Sequence, residues 1–128
     1  MNTKNNFSFP VLEHPAPQCD TNEAHELASE WMEISEDTTI TPLVSERDRN
    51  FLISTRGEKA ILKISNHKEK KGVLKFQNEA LLHLESSTNL NLPRVKKSKT
   101  GEYLERKMIG SEECFVRMVS YVDGVPLD

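Results

Sequence analysis

The stretch Ala60-Ile61-Leu62-Lys63-Ile64-Ser65 constrains this chain more than any other. Its apolar run is nearly continuous, which fits a central strand covered on both faces of a sheet. It also carries a lysine, and an ammonium in an apolar strand is costly unless anionic groups meet it. Alternation places Ile61, Lys63 and Ser65 on one face and Leu62 and Ile64 on the other. Position alone leaves two readings of Lys63: a charge aimed at an anion, or a lysine that snorkels to water from an edge strand.

The surrounding segments predict an α+β fold. Asp20 followed by Glu23 fits a capping box. Ala24, Leu27, Ala28, Trp31 and Ile34 then share a helical face, so a helix of about four turns is expected, with Trp31 as a core anchor. Thr38 to Leu43, Asn50 to Ser54 and Ala60 to Ser65 read as three strands of an antiparallel meander, with Pro42 marking an edge position. Ser45 to Arg49 and Arg56-Gly57-Glu58-Lys59 supply the turns. Asn66 is a candidate cap for the next helix. There Val73, Phe76, Ala80, Leu81 and Leu84 recur at three- and four-residue steps as far as Ser87. Val95 to Ser98, Tyr103 to Met108 and the strong apolar run Cys114 to Val122 are further strands, and Asp123-Gly124-Val125-Pro126 breaks the last. The expected architecture is an antiparallel sheet of about five strands with an N-terminal helix and a second helix packed on it, preceded by an extended arm over residues 1–19.

A length of 128 residues leads us to expect one compact domain. A net charge of -3 and a pI near 5.8 argue against a general nucleic-acid binder. Arg94, Lys96, Lys97 and Lys99 form a basic run with no interleaved aromatics for base stacking, and it reads as a solvated strand edge. No apolar stretch reaches the length of a signal peptide core or a membrane span. Cys19 and Cys114 are far apart and form no CxxC pair, so they read as reduced thiols in a cytoplasmic protein. No histidine cluster has metal-ligand spacing.

Glu79 follows Lys63 by sixteen positions, on a helix whose neighbours Ala80, Leu81 and Leu82 look buried. Pairing the two would neutralise both and aim the ammonium at a bound phosphate, as a strand lysine and a helix glutamate do in kinases. The turn from Ser45 to Asn50 would then cover the phosphates. It has no glycine and is neither a Walker loop nor a GxGxxG motif. Ser45, Arg47 and Arg49 can donate to phosphate oxygens, whereas Glu46 and Asp48 would oppose a nucleotide if they faced it. An ordinary charged hairpin stands equally open.

Five segments in order carry a resemblance: Ser45-Glu46-Arg47-Asp48-Arg49-Asn50-Phe51, Leu62-Lys63-Ile64-Ser65-Asn66, Phe76-Gln77-Asn78-Glu79-Ala80-Leu81, Leu92-Pro93-Arg94-Val95, and Val116 through Leu127. Over residues 20–128 the series resembles the amino-terminal lobe of the aminoglycoside phosphotransferase-like (choline kinase-type) kinases. Within that family it is most similar to the hydroxylysine-kinase-like branch, which includes phosphotransferase domains fused to aminotransferases. The resemblance implies a protein-kinase-like N-lobe that binds ATP with Mg2+. Lys63 would contact the α- and β-phosphates and Glu79 would hold it. Ser45, Arg47 and Asn50 would belong to the nucleotide-covering loop. Ser120, Tyr121 and Val122 would form the hinge at the adenine edge, with Val119 behind the adenine and Ile61 and Leu43 against its faces.

The family's base and magnesium ligands lie in a carboxy-terminal lobe, on an HGDxxxxN-type loop and a later aspartate. None of His14, His25, His67 and His83 has an aspartate two residues on. The chain is therefore expected to be an excerpt or a truncated product, inactive on its own. Its complete enzyme would phosphorylate a hydroxyl of an amino-acid-like, amino-alcohol or aminoglycoside substrate. The alternative is a non-catalytic nucleotide-binding or interaction module that pairs, as a homodimer or with another chain, through its exposed inter-lobe face.

Overall fold

A computed structural model of the chain describes residues 16–88 and 91–122. The expected chain break at Asp123 and most of the expected N-terminal arm lie outside those residues. Eight elements follow one another: α1 (Thr21–Ala28), β1 (Thr39–Leu43), β2 (Arg49–Thr55), β3 (Glu58–Ile64), α2 (Lys71–Ser87), β4 (Val95–Lys96), β5 (Glu105–Ile109) and β6 (Glu112–Ser120). The strands form one antiparallel sheet in the order β1-β2-β3-β6-β4, with β5 also on β6. The outer edge of β6 is shared: β5 lies opposite Glu112 to Val116, and β4 opposite Met118 and Val119. The sheet has six strands, and β4, β5 and β6 correspond to the three segments expected after the second helix, with β4 and β5 as short pieces on one edge. β3 is third in the order, as its apolar run requires.

The two faces of β3 are sorted by the pleat. Leu62 and Ile64 join Phe51, Ile53, Val116 and Met118 in a fully buried cluster closed by α1, Trp31 and Met32. Ile61 instead packs with Val95 and Val119, flanked by Leu43, Leu52, Leu81, Leu82 and Tyr121. The β2–β3 hairpin closes through Arg56 (φ 50) and Gly57 (φ 82). Two consecutive positive φ angles match the right-handed twist of the flanking strands, and glycine takes the larger one without a Cβ penalty.

Asp20 and Glu23 form the expected capping box, with Glu23 N–H donating to Asp20 Oδ1 at 2.8 Å and Asp20 N–H to Glu23 Oε1 at 3.2 Å. The helix they start is shorter than expected and ends at Ala28. The chain then tightens: Trp31 N–H donates to Ala28 O, and Glu30 O accepts from Lys99 N–H at 2.7 Å instead of continuing the helix. This turn brings the Trp31 indole N–H to Lys96 O at 3.1 Å, joining α1 to β4.

Helix α2 departs from its expected stripe. It starts at Lys71, and Lys70 at its N-cap makes no side-chain bond. Asn66, the expected cap, is buried and donates its amide to Arg47 O at 3.2 Å. The inward residues are Leu74 and Asn78, with Leu81 and Leu82 half-buried, while Val73, Phe76 and Leu84 are exposed. The spacing 74, 78, 81/82 is a proper helical face, turned about one residue from the expected one.

Candidate functional site

The turn of residues 44–48 between β1 and β2 overhangs a cleft of about 540 Å³ lined by Val44, Ser45, Glu46, Arg47, Asp48, Asn50, Lys63 and Glu69. Four of the residues expected to serve a phosphate, Ser45, Arg47, Asn50 and Lys63, thus meet in one place. The loop is shorter than expected, because Arg49 and Asn50 already belong to β2. Alternation sends them to opposite faces. Asn50 lines the cleft, whereas Arg49 Nε donates to Cys19 O at 3.1 Å and its guanidinium lies 5.1 Å from the Phe51 ring centroid. Asp48 Oδ1 accepts the Asn66 backbone N–H at 3.0 Å, which ties the loop to the segment after β3.

The cleft therefore offers an ammonium, a guanidinium and a hydroxyl as donors. Three carboxylates, on Glu46, Asp48 and Glu69, also border it. Asn50 is 3% exposed, and its Oδ1 is buried with no hydrogen-bond partner. Among the described residues no group of three or more His, Cys, Asp or Glu side chains can hold a metal ion.

Glu79 is not part of this arrangement. Its side chain is exposed and does not line the cleft. The rotation of α2 explains the difference: Asn78, one residue earlier, faces the sheet. Its Oδ1 accepts from Arg117 Nη1 at 2.6 Å, and Gln77 Oε1 accepts from Arg117 Nη2 at 2.7 Å. Arg117 is 6% exposed, and its Nε is buried without a partner. Burial pulls its pKa below the ordinary arginine value, and the charges of Asp48 and Glu69 oppose that shift. The register sets Lys63 opposite Asn50 on one side and Arg117 on the other, so all three share a row and a face. Arg117 carries the same sequence signal as Lys63, a cation inside an apolar strand, here Cys114-Phe115-Val116-Arg117-Met118-Val119, and is not among the expected site residues.

At the far end of the same face, Ile61 and Val119 are buried against each other's strands, with Leu43 at the margin. Past the end of β6 the ladder continues. Ser120 N–H donates to Arg94 O at 2.8 Å, Arg94 N–H to Ser120 Oγ at 2.9 Å, and Tyr121 N–H to Lys59 O at 3.1 Å. The backbone N–H groups of Ser120 and Tyr121, two of the expected hinge residues, are thus engaged within the lobe. Val122, the third hinge residue, is half-buried. The Tyr121 ring packs against the lobe with the Lys59 ammonium 5.7 Å from its centroid. The basic run is spread along the β4 edge: Lys96 pairs with Glu58 at 2.7 Å, Lys99 with Glu33 at 3.2 Å, and Lys97 lies over Tyr103.

No family model matches the chain, and no curated protein sequence matches it. Solved structures do. A microcompartment-associated aminopropanol kinase superposes with a TM-score of 0.68 over 85% of this chain, at 14% identity. The amicoumacin kinase hAmiN, solved in complex with AMP-PNP, Ca2+ and Ami, superposes with a TM-score of 0.63 over 82% of this chain, at 15% identity. The fold is kinase-like. The chain spans about a third of the length of each neighbour, 34% and 32%. At these identities the likeness establishes the architecture of the kinase-like lobe and leaves its chemistry to the residues above. Within the lobe, no helix of the described residues is long and apolar enough to cross a membrane.

Proposed function

We propose that this chain is the ATP-binding lobe of a small-molecule phosphotransferase of the aminoglycoside phosphotransferase-like type. The complete enzyme transfers the γ-phosphate of ATP to a hydroxyl of an amino-acid-like, amino-alcohol or aminoglycoside acceptor. The observation that carries this reading is the cleft. Ser45, Arg47, Asn50 and Lys63 come from two strands and a loop and line one cleft, which supports a phosphate site there. Lys63 and Arg47 fit a polyphosphate as charged donors, and Ser45 adds a hydroxyl. Ile61, Val119 and Leu43 supply the apolar face for a purine, with Ser120 to Val122 along its edge. Glu79 is left out of the proposed site. Mg2+, when bound with ATP, neutralises phosphate charge. The resemblance puts its ligands in a carboxy-terminal lobe, and the amino-terminal lobe alone is expected to be inactive. The reading includes a cytoplasmic setting, supported by two free, buried thiols.

Titrating ATP into the chain and its Lys63→Ala variant by calorimetry tests the proposal. Loss of a charged hydrogen bond to phosphate weakens affinity by about tenfold to a hundredfold. Equal affinity in both proteins sinks the assignment of Lys63.

A second reading, an interaction module that pairs through an exposed face, is favoured by Val44 and Phe76, which are 96% and 70% exposed. It predicts no ATP binding in either protein and a self-association that Phe76→Ser weakens in sedimentation velocity.

A further inference from the structure

Among the described residues, Arg117 is a buried cation without a carboxylate in ion-pair contact, and its two bonded partners are the neutral amides of Gln77 and Asn78. Buried arginines are ordinarily paired, because an uncompensated charge away from water is strongly unfavourable. Here the helix that could have supplied a carboxylate presents an amide, one position from a glutamate that points to solvent. Asp48 and Glu69 act on the guanidinium only through space, and both border the cleft. Arg117 does not line the cleft itself. It stands beside Lys63, opposite it in the β3–β6 register, on the face that carries the cleft. Its Nε and Asn50 Oδ1, on either side of Lys63, are buried polar side-chain atoms without partners.

We infer that Arg117 is a positioning residue for polyphosphate. It is a second positive charge, braced by amides so that it stays un-neutralised, whose field acts on an anion held by Lys63 and Arg47 in the adjoining cleft. The same fork ties α2 to the sheet through Gln77 and Asn78. The inference deepens the proposed nucleotide site and rests on that reading for its physiological ligand, although the anion alone tests it. A charge within several ångströms, shielded from water, changes the affinity for a multiply charged anion by about tenfold or more. It leaves a neutral nucleoside untouched.

The experiment titrates tripolyphosphate, ADP and adenosine into the full 128-residue chain and into Arg117→Gln and Asn78→Asp, with folding checked by circular dichroism. Arg117→Gln removes the charge and keeps hydrogen-bonding capacity toward the amides. Asn78→Asp keeps the arginine and neutralises it in place, so it decides the matter if Arg117→Gln does not fold. The expected result is that tripolyphosphate and ADP weaken by about tenfold in both variants, adenosine is unchanged, and the salt dependence of tripolyphosphate binding becomes shallower. Tripolyphosphate binding as in the unsubstituted chain overturns the inference. So does a parallel loss of adenosine and ADP, which marks Arg117 as structural only, and so does an unsubstituted chain that takes up no tripolyphosphate. If the unsubstituted chain binds tripolyphosphate, the variants weaken it and no adenosine or ADP binds, the nucleotide reading fails and the role of Arg117 stands.

Discussion

The two faces of this sheet are built on different terms. The face under α1 is dry. Phe51, Ile53, Leu62, Ile64, Val116 and Met118 are fully buried there, and both cysteines are sealed in with them. The face under α2 has fewer buried apolar residues, Ile61, Val95 and Val119 on the strands and Leu74 on the helix among the described residues, and it devotes a row of three strands to Asn50, Lys63 and Arg117. Buried polar atoms without partners occur on this second face, where α2 contributes an amide to the interior. A face that only had to hold the fold together would resemble the first. The second gives up packing to keep charged and amide groups beside a cleft, as functional sites do when local consistency is broken for chemistry.

The sharpest way to break the comparison uses two adjacent residues of β3. Leu62→Ala empties a site on the dry face and lowers stability by about 2–5 kcal/mol in urea denaturation. Lys63→Ala, one residue on, lowers stability by less than about 1 kcal/mol and acts on anion binding instead. Equal destabilisation by both would erase the distinction between the faces.

Asn78→Leu probes the second face from its helix. It removes an acceptor from the buried Arg117 fork, so a loss of about 1–3 kcal/mol is expected on thermal unfolding, although a leucine there gains apolar contact. A stabilised variant would mean that the amide pair contributes nothing to docking α2. Gly57→Ala, at φ 82 in the hairpin shared by both faces, costs about 1–2 kcal/mol and should move both equally. Asp20→Ala, which removes the cap of α1, costs about 1 kcal/mol and should loosen the dry face alone in hydrogen exchange.

Titration gives the smallest effects. Ser98 donates to Glu105 at 2.6 Å and Thr100 at 2.8 Å, and the Ser98 bond is the main reason its carboxyl titrates below the ordinary 4.5, against the opposing effect of its partial burial. A carboxylate with a depressed folded pKa stabilises above its unfolded pKa. Its contribution is lost as pH falls from about 4.5 through the lower folded value, so Glu105→Gln should flatten the acid limb of a pH–stability curve. Burial pushes Cys19 from 9.0 up to about 11. The sign is opposite there: the neutral thiol's contribution is intact below about 9 and disappears as pH rises toward about 11. At pH 8 both thiols should react with a disulfide reagent only through unfolding, and faster in Leu62→Ala.

The strands were legible because a period of two leaves little freedom. Once Ala60 to Ser65 is a central strand, Leu62 and Ile64 must share one face and Ile61 and Lys63 the other. The capping box at Asp20 was legible because both its partners are local. The rotation of α2 was not, because its cause lies in Arg117, 39 residues beyond Asn78 in sequence. An amphipathic helix judged by its own apolar spacing puts Phe76 inward, whereas this sheet presents a guanidinium that amides satisfy better. The length of α1 was missed for a similar reason, since the Glu30 carbonyl finds Lys99 on a distant loop. Four of the residues expected around phosphate came together because they sit at or beside strand ends, where alternation and turn position decide the placement. Glu79 did not, because its placement depended on the rotation of the helix.

Trp31, the sole tryptophan, is 6% exposed, and its indole is tied to the Lys96 carbonyl on the α1 side of the sheet. Its emission therefore reports the opening of that junction and is blind to whatever occupies the cleft on the opposite face. Intrinsic fluorescence will follow unfolding of this protein faithfully, and a silent fluorescence titration will carry no information about ligand binding. A reporter for the cleft has to be introduced, and the exposed Val44 at its lip is the place to put it.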